Sequence, residues 1–198
     1  RDRETPRLRQ TQRRPEARIA AGVQLVEQGS VDAAHGLGGS EEVAVFGGKQ
    51  ACRALVANPR ALGIGARHIT ISTVGVLPGI VALGERAEQF RLAISIHAPT
   101  DELRRSLMPI NVKYPLADVI AAASRFDRRV TFEYVLLGGV NDQPTQAAQL
   151  AALARDCRAF VNLIPLHPGG TMGFTPSSGP VTSAFVRALR ARGVETAV

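Results

Sequence analysis

Two stretches, LAISIH at Leu92–His97 and VTFEYVLL at Val130–Leu137, decide the fold. In the first, large apolar side chains alternate with smaller or more polar ones. Successive side chains of a strand point to opposite faces, so this alternation predicts a strand with one apolar face. We expect the apolar face to meet covering helices and the opposite face to line an interior. In the first stretch the apolar face is Leu92, Ile94 and Ile96, and the opposite face is Ala93, Ser95 and His97.

Short strand-like runs alternate with amphipathic helical segments from Glu41 onward. This alternation predicts a parallel sheet, either a barrel or a doubly wound sheet. A closed eight-stranded barrel typically takes about 250 residues. An open, partial (βα)6 barrel therefore suits a chain of 198 residues better. The other runs are Glu42–Phe46, His68–Thr73, Val161–Leu166 and weakly Val194–Val198, and the predicted helices are Pro115–Phe126, Pro144–Arg155 and Pro180–Arg192.

Turn residues mark the ends of two predicted helices. Pro144 suits a first helical position, and Asp142 just before it is a candidate cap. Gly193 suits the position just past the last helix. The first run is followed by Gly47-Gly48-Lys49, which is too short for a P-loop, and no Gly-x-Gly-x-x-Gly follows it. A nucleoside triphosphatase or Rossmann fold is therefore not favoured.

The first 40 residues differ in composition from the rest. Residues 1–18 carry seven arginines and almost no large apolar side chain. Such a segment cannot bury enough apolar surface to order itself. We therefore predict an Arg-rich, poorly ordered or non-native segment at 1–40 and a partial barrel domain at 41–198.

The overall charge is +7 and the pI is about 10.6, which is typical of proteins that contact nucleic acid. The alternative is a solvated surface with codon-biased arginine, since only Lys49 and Lys113 among the 24 basic residues are lysines. The sequence contains no apolar run long enough to predict a membrane span or a secretory signal, so we expect a cytoplasmic location. Cys52 and Cys157 form no metal-binding spacing and are expected to be ordinary reduced thiols.

Polar residues near the carboxyl ends of the runs are the candidate site, since ligands of such folds bind there. Ser72, Ser95 and His97 fall at these ends, and Glu133 lies within the run that follows. Each histidine has the alternative of a hydrogen-bonded structural role. For Glu133 the alternative is a buried carboxylate paired with an arginine, such as Arg129, because unpaired burial is costly.

Four segments of the chain carry a recognisable set of motifs. They are ALGIGARHITISTVGVLPGI at Ala61–Ile80, LAISIHAPTDELRRSLMPINVKYPL at Leu92–Leu116, RRVTFEYVLLGGVNDQP at Arg128–Pro144 and VNLIPLHPGG at Val161–Gly170. Together these segments resemble the family of 23S ribosomal RNA adenine C2-methyltransferases, which includes the RlmN and Cfr types. Their order matches that of the family's motifs, and the resemblance covers roughly residues 55–198.

The resemblance implies a radical S-adenosylmethionine (SAM) barrel with six parallel strands. It also implies SAM and a [4Fe-4S] cluster held by a CxxxCxxC loop. The implied RNA partner is 23S ribosomal RNA, with tRNA as a second candidate. The SAM contacts would be Ser72, Ser95, Ile96 and His97, with His167 in place of the family's usual asparagine.

The chain departs from this family at several motifs. It has no CxxxCxxC, and Phe46–Cys52 reads FGGKQAC where the family has GMGEP. The family's methyl-accepting cysteine would lie beyond Val198. We therefore assign no catalytic residue and no metal ligand, and expect a truncated or inactive copy that arises from a truncated gene or a frameshift. Alternatives are an RNA- or ribosome-binding module, one half of a split methyltransferase completed by another chain, and an unrelated barrel enzyme.

Overall fold

Six parallel strands form one open sheet in the computed structural model, which describes residues 43–45, 66–166 and 173–198. Their spatial order follows the chain, and every neighbouring pair is parallel. The predicted partial (βα)6 barrel is thereby confirmed, whereas the prediction for residues 1–40 lies outside the described residues. The strands are β1 (Val43–Val45), β2 (Ile69–Thr73), β3 (Arg91–Ser95), β4 (Val130–Leu136), β5 (Phe160–Pro165) and β6 (Thr196–Ala197).

Within the described ranges, five α-helices accompany these strands. The three predicted helices are confirmed, and two shorter ones were not predicted. The second of these, DELRRSL, is largely charged and buries only Arg104 and Leu107, so it shows no apolar stripe in the sequence. The helices are α1 (Leu77–Gly84), α2 (Asp101–Leu107), α3 (Leu116–Ser124), α4 (Pro144–Asp156) and α5 (Gly179–Arg190), with 3-10 turns at Ala66–His68 and Pro109–Val112.

The core lies between the sheet and these helices. The predicted apolar face of β3 belongs to it, and β4 alternates strictly between buried and half-buried residues. The alternate residues of each strand point toward the opposite face of the sheet. We call this opposite face the interior face. No helix in the described part of the chain is long and apolar enough to cross a membrane. Core residues from the helices include Val119, Ile120, Leu150, Phe185 and Leu189.

The two predicted helix ends had different outcomes. The prediction that Asp142 caps α4 is wrong: Gln143 holds the cap position, and its N–H donates to Gln146 Oε1 at 2.8 Å. The buried Asp142 carboxylate instead accepts from the Gly139 N–H and from the Ser177 hydroxyl. At the end of α5 the prediction for Gly193 is confirmed, since it has a φ of 78° and its N–H donates to the Arg190 carbonyl at 3.0 Å.

Candidate functional site

A row of polar side chains crosses the interior face through three neighbouring strands. Ser95 on β3 is in register with Glu133 on β4, which is in register with Asn162 on β5. Residues paired in a parallel sheet share a face, so the three side chains lie side by side. Asn162 Nδ2 donates to Glu133 Oε2 at 2.7 Å. We call Ser95, Glu133 and Asn162 the interior row.

Ser72 lies on the same face, one step nearer the amino end of the strands. It pairs in register with Ala93, two residues before Ser95. At the rise of a parallel strand, that offset is about 7 Å along the strand direction. The next residue, Thr73, turns the chain away from β2, because its hydroxyl accepts from the backbone N–H groups of Gly75 and Val76, each at 3.2 Å.

His97 follows Ser95 by two residues and lies just beyond the end of β3. It is buried and has a φ of 53°, which is unusual for a non-glycine residue. Its Nδ1 accepts from the Val135 N–H at 3.1 Å, so the predicted structural hydrogen bond is present. Burial, followed by the nearby Arg104 charge, lowers the pKa of His97 to about 4. The ring is therefore neutral near pH 7 and carries its proton on Nε2, which remains a donor.

A buried arginine holds the carboxyl ends of β2 and β3 together. Arg104 Nη2 donates to the carbonyls of Val74 at 2.8 Å and Ser95 at 3.2 Å, and Nε donates to that of Ile96 at 3.2 Å. Nη1 donates to Asn111 Oδ1 at 2.7 Å. Burial lowers the pKa of Arg104 to about 10, so it remains a cation near pH 7. The sequence did not predict the role of Arg104, because it stands among other charged residues and such a segment indicates an exposed position.

Asn111 links this arginine to a carboxylate. Its Nδ2 donates to Asp101 Oδ1 at 2.7 Å, and the same oxygen accepts from the Leu116 N–H at 2.7 Å. Burial opposes the charge of Asp101, but these two hydrogen bonds hold the pKa of that carboxyl below its usual value. The positive charge of Arg104 is thus balanced by the Asp101 carboxylate, with the neutral amide of Asn111 between the two groups.

Two of the predicted SAM contacts differ from the others in their placement. The Ile96 side chain is fully buried in the core behind the sheet. Its N–H donates to the Glu133 carbonyl at 3.0 Å, and its carbonyl accepts from Arg104. His167 lies outside the described residues. The strand register therefore places Ser72 and Ser95 on one face and the core holds the Ile96 side chain on the other, while His97 follows the end of β3.

Glu133 is not paired with Arg129, and that alternative is wrong. Arg129 instead approaches Glu195, with Nη2 3.8 Å from Oε2, and its guanidinium lies over the Phe160 ring at 4.8 Å. The partner of the Glu133 carboxylate is Asn162. Burial raises the pKa of Glu133, although the hydrogen bond from Asn162 lowers it.

The described cysteine is placed for packing. Cys157 is buried in the core, with its Sγ 3.5 Å from the Ile120 carbonyl oxygen. Burial, and then the Asp156 charge, raise the pKa of this thiol to about 12. Cluster ligands are thiolates, so Cys157 is unsuited to that role. Cys52 lies outside the described residues, and the described ranges contain no group of three metal-ligating side chains.

Solved structures with this fold define the class of protein. A radical SAM methyltransferase from Sphaerobacter thermophilus matches at 39% identity with a TM-score of 0.74, over 80% of this chain and 50% of that one. A domain of a pyruvate-formate lyase-activating enzyme from Bacteroides vulgatus matches at 15% identity with a TM-score of 0.63, which supports the fold alone. The sheet is thus that of the radical SAM methyltransferases. No family model matches the chain.

Curated relatives narrow this class to one family. A probable dual-specificity RNA methyltransferase RlmN from Gemmatimonas aurantiaca is 81% identical over 144 residues, which is 73% of this chain. Proteins of the same name from Symbiobacterium thermophilum and Moorella thermoacetica are 48% and 46% identical over 149 and 145 residues. The chain belongs to this RlmN family, and it spans about two fifths of the length of these relatives.

Proposed function

We propose that this chain is the SAM-binding barrel portion of a 23S ribosomal RNA adenine C2-methyltransferase. The observation that supports the proposal is the polar interior face toward the carboxyl ends of the strands, where Ser72 and Ser95 share a face and His97 follows the end of β3. In parallel βα folds this edge is where ligands bind. The 81% identity to an RlmN relative supports the same assignment.

The residues of this face suit the chemistry of SAM, which presents ribose hydroxyls, an amino acid group and a sulfonium. The Ser72 and Ser95 hydroxyls each donate and accept hydrogen bonds, and His97 offers its Nε2–H. Ile96 contributes by holding the segment between Ser95 and His97 against the core. We retain His167 as a further SAM contact. The proposed RNA substrate is 23S ribosomal RNA, with tRNA as a second candidate.

The [4Fe-4S] cluster of the family does not fit the residues at hand. The chain contains two cysteines, and the one described is a buried thiol with a raised pKa. A cluster of this kind needs several closely placed thiolates. We therefore derive no step through a cluster and infer that these 198 residues alone bind SAM without cleaving it. Cleavage would need ligands from residues other than these.

Equilibrium dialysis of the full chain with radiolabelled SAM tests the proposal. We expect saturable binding that weakens about tenfold in Ser95→Ala, since a hydrogen bond to a charged or polar ligand is lost. Ser106→Ala is the matched control, because its hydroxyl is exposed and donates only to the Leu103 carbonyl. Absence of SAM binding in the wild-type chain would refute the proposal. Anaerobic reconstitution to about four irons per chain would refute the inference on the cluster.

A second candidate function, RNA binding without catalysis, is favoured by the charge of +7. Within the described residues, Arg129 and Arg190 line one hollow at the amino ends of the last strands, together with Phe160. Guanidinium groups beside an aromatic ring suit phosphate and base contacts. If the chain is such a module, its affinity for 23S fragments should fall steeply with added salt. Binding that ignores salt would argue against it.

A further inference from the structure

The Glu133 carboxylate is a negative charge on the interior face without a cation beside it in the described part of the chain. Its one hydrogen-bond partner there is Asn162, and no salt bridge reaches it. Arg129 shares its face but lies four residues earlier, about 13 Å along the strand. Arg129 also approaches Glu195 and covers Phe160.

Such a charge is costly for the protein to maintain. A half-buried carboxylate loses hydration, and one neutral amide restores only part of it. The register with Ser95 and Asn162 nevertheless places this carboxylate in the middle of the interior row. A residue that costs stability and faces a ligand-binding interior is suited to binding a complementary charge.

The two oxygens of the carboxylate are not equivalent. Oε2 accepts from Asn162 Nδ2 at 2.7 Å, which holds the group in one orientation. Oε1 accepts no hydrogen bond from the described residues. The carboxylate is thus oriented by its neighbour and keeps one oxygen for a group that enters the interior.

We propose that the Glu133–Asn162 pair binds a positive charge of SAM, with Glu133 as the binding residue and Asn162 as its positioning residue. This inference rests on the proposed function, since it concerns the same site. SAM carries two cations, the sulfonium and the α-ammonium, and either supplies the charge that Glu133 lacks.

The test measures the affinity of the full chain and its Glu133→Gln variant for three ligands. We expect SAM affinity to fall about tenfold or more, as for loss of a hydrogen bond to a charged group. Affinity for 5′-methylthioadenosine, which has neither cation, should be unchanged. S-adenosylhomocysteine, which keeps only the ammonium, identifies the source: its affinity falls too if the ammonium is bound, and persists if the sulfonium is bound.

Two controls keep the result interpretable. Glu195→Gln makes the same charge change at an exposed carboxylate whose partner is Arg129, so SAM affinity should be unchanged. Glutamine at position 133 still accepts from Asn162, so the ligand-free variant should melt no lower than the wild type. The rise in melting temperature on adding SAM should shrink in Glu133→Gln only. A residue that acted only in folding would lower the ligand-free melting temperature instead.

The inference and the proposed function fail in different ways. If the wild-type chain binds SAM and Glu133→Gln binds it equally well, the inference is overturned and the proposed function stands. Equal weakening of SAM and 5′-methylthioadenosine also overturns it, because the lost contact would then be to the shared adenosine. If the wild-type chain binds none of the three ligands, both are overturned.

Discussion

The side-chain amide of Asn141 donates to the backbone carbonyl of His97 at 2.8 Å, across 44 residues of sequence. The same Nδ2 donates to the Val135 carbonyl at 2.7 Å, and Oδ1 accepts from the Leu137 N–H at 2.7 Å. Asn141 is fully buried, and its own carbonyl accepts from the Tyr134 hydroxyl. One amide therefore ties the turn after β4 to the segment that carries His97.

Replacing this amide by a carboxyl group should destabilise the fold strongly. Asn141→Asp turns a double donor into an acceptor that faces two carbonyl oxygens, and buries a charge. We expect the free energy of unfolding to fall by about 3 kcal/mol. Urea denaturation measures this, with Gln149→Glu, the same chemical change at an exposed position of α4, as the control. Equal effects of the two substitutions would contradict the role given to Asn141.

Arg104 should not tolerate lysine. Its guanidinium donates to three carbonyls and to Asn111, and a lysine ammonium cannot reproduce that planar fork. We expect Arg104→Lys to lower the free energy of unfolding by about 2 kcal/mol or more. The neighbouring Arg105 is exposed, so Arg105→Lys should change it by less than about 0.5 kcal/mol. Thermal melts of the two variants, compared side by side, decide the point.

The end of α4 carries a strained residue that glycine would relieve. Arg158 has a φ of 52°, its N–H donates to the Arg155 carbonyl, and the next N–H donates to that of Ala154. This is the geometry that favours glycine just past a helix. Arg158→Gly should therefore raise the free energy of unfolding by about 0.5–1 kcal/mol.

The end of α5 offers the reverse substitution as a control. Gly193 has a φ of 78°, and an added Cβ would meet nothing within 4 Å. Gly193→Ala should thus lower the free energy of unfolding by about 1 kcal/mol through backbone strain alone. Guanidinium chloride titrations of both variants would show opposite shifts of the midpoint. Shifts in the same direction would be inconsistent with this explanation.

His97 should make the fold less stable in weak acid. Its pKa is about 4 in the folded protein, against 6.5 for an ordinary histidine. The unfolded chain therefore binds this proton first, and stability is lost as the pH falls from 6.5 toward 4. The loss is at most about 3 kcal/mol. The raised pKa of Glu133 works in the opposite direction, so the comparison must be made between variants.

His97→Asn isolates this contribution, since asparagine tolerates a positive φ. Its unfolding free energy should vary less between pH 6.5 and 4.5 than that of the wild type. An identical pH dependence in His97→Asn and wild type would disprove the assignment.

The spacing of apolar residues and the order of strands and helices along the chain were enough to predict the parallel sheet and its covering helices. The alternation in Leu92–His97 placed the apolar face of β3 correctly, because the core accepts only one face of each strand. Gly193 after α5 was predicted from a local preference as well, because helices often end at a glycine with a positive φ. The short helix α2 was missed, because its burial depends on Arg104, a residue whose sequence context indicates solvent.

Tertiary structure decided the partners of the polar groups. The sequence by itself determined that Glu133 lies within a strand, that Ser72, Ser95 and His97 fall at strand ends, and which family the chain resembles. Only the fold paired Glu133 with Asn162 rather than with Arg129, and brought Asn141 to His97 and Arg104 to Val74. These side-chain hydrogen bonds join residues that lie 29 to 44 positions apart in the sequence. They depend on strand register and on how the loops pack, and the periodicity of a sequence carries no information on either.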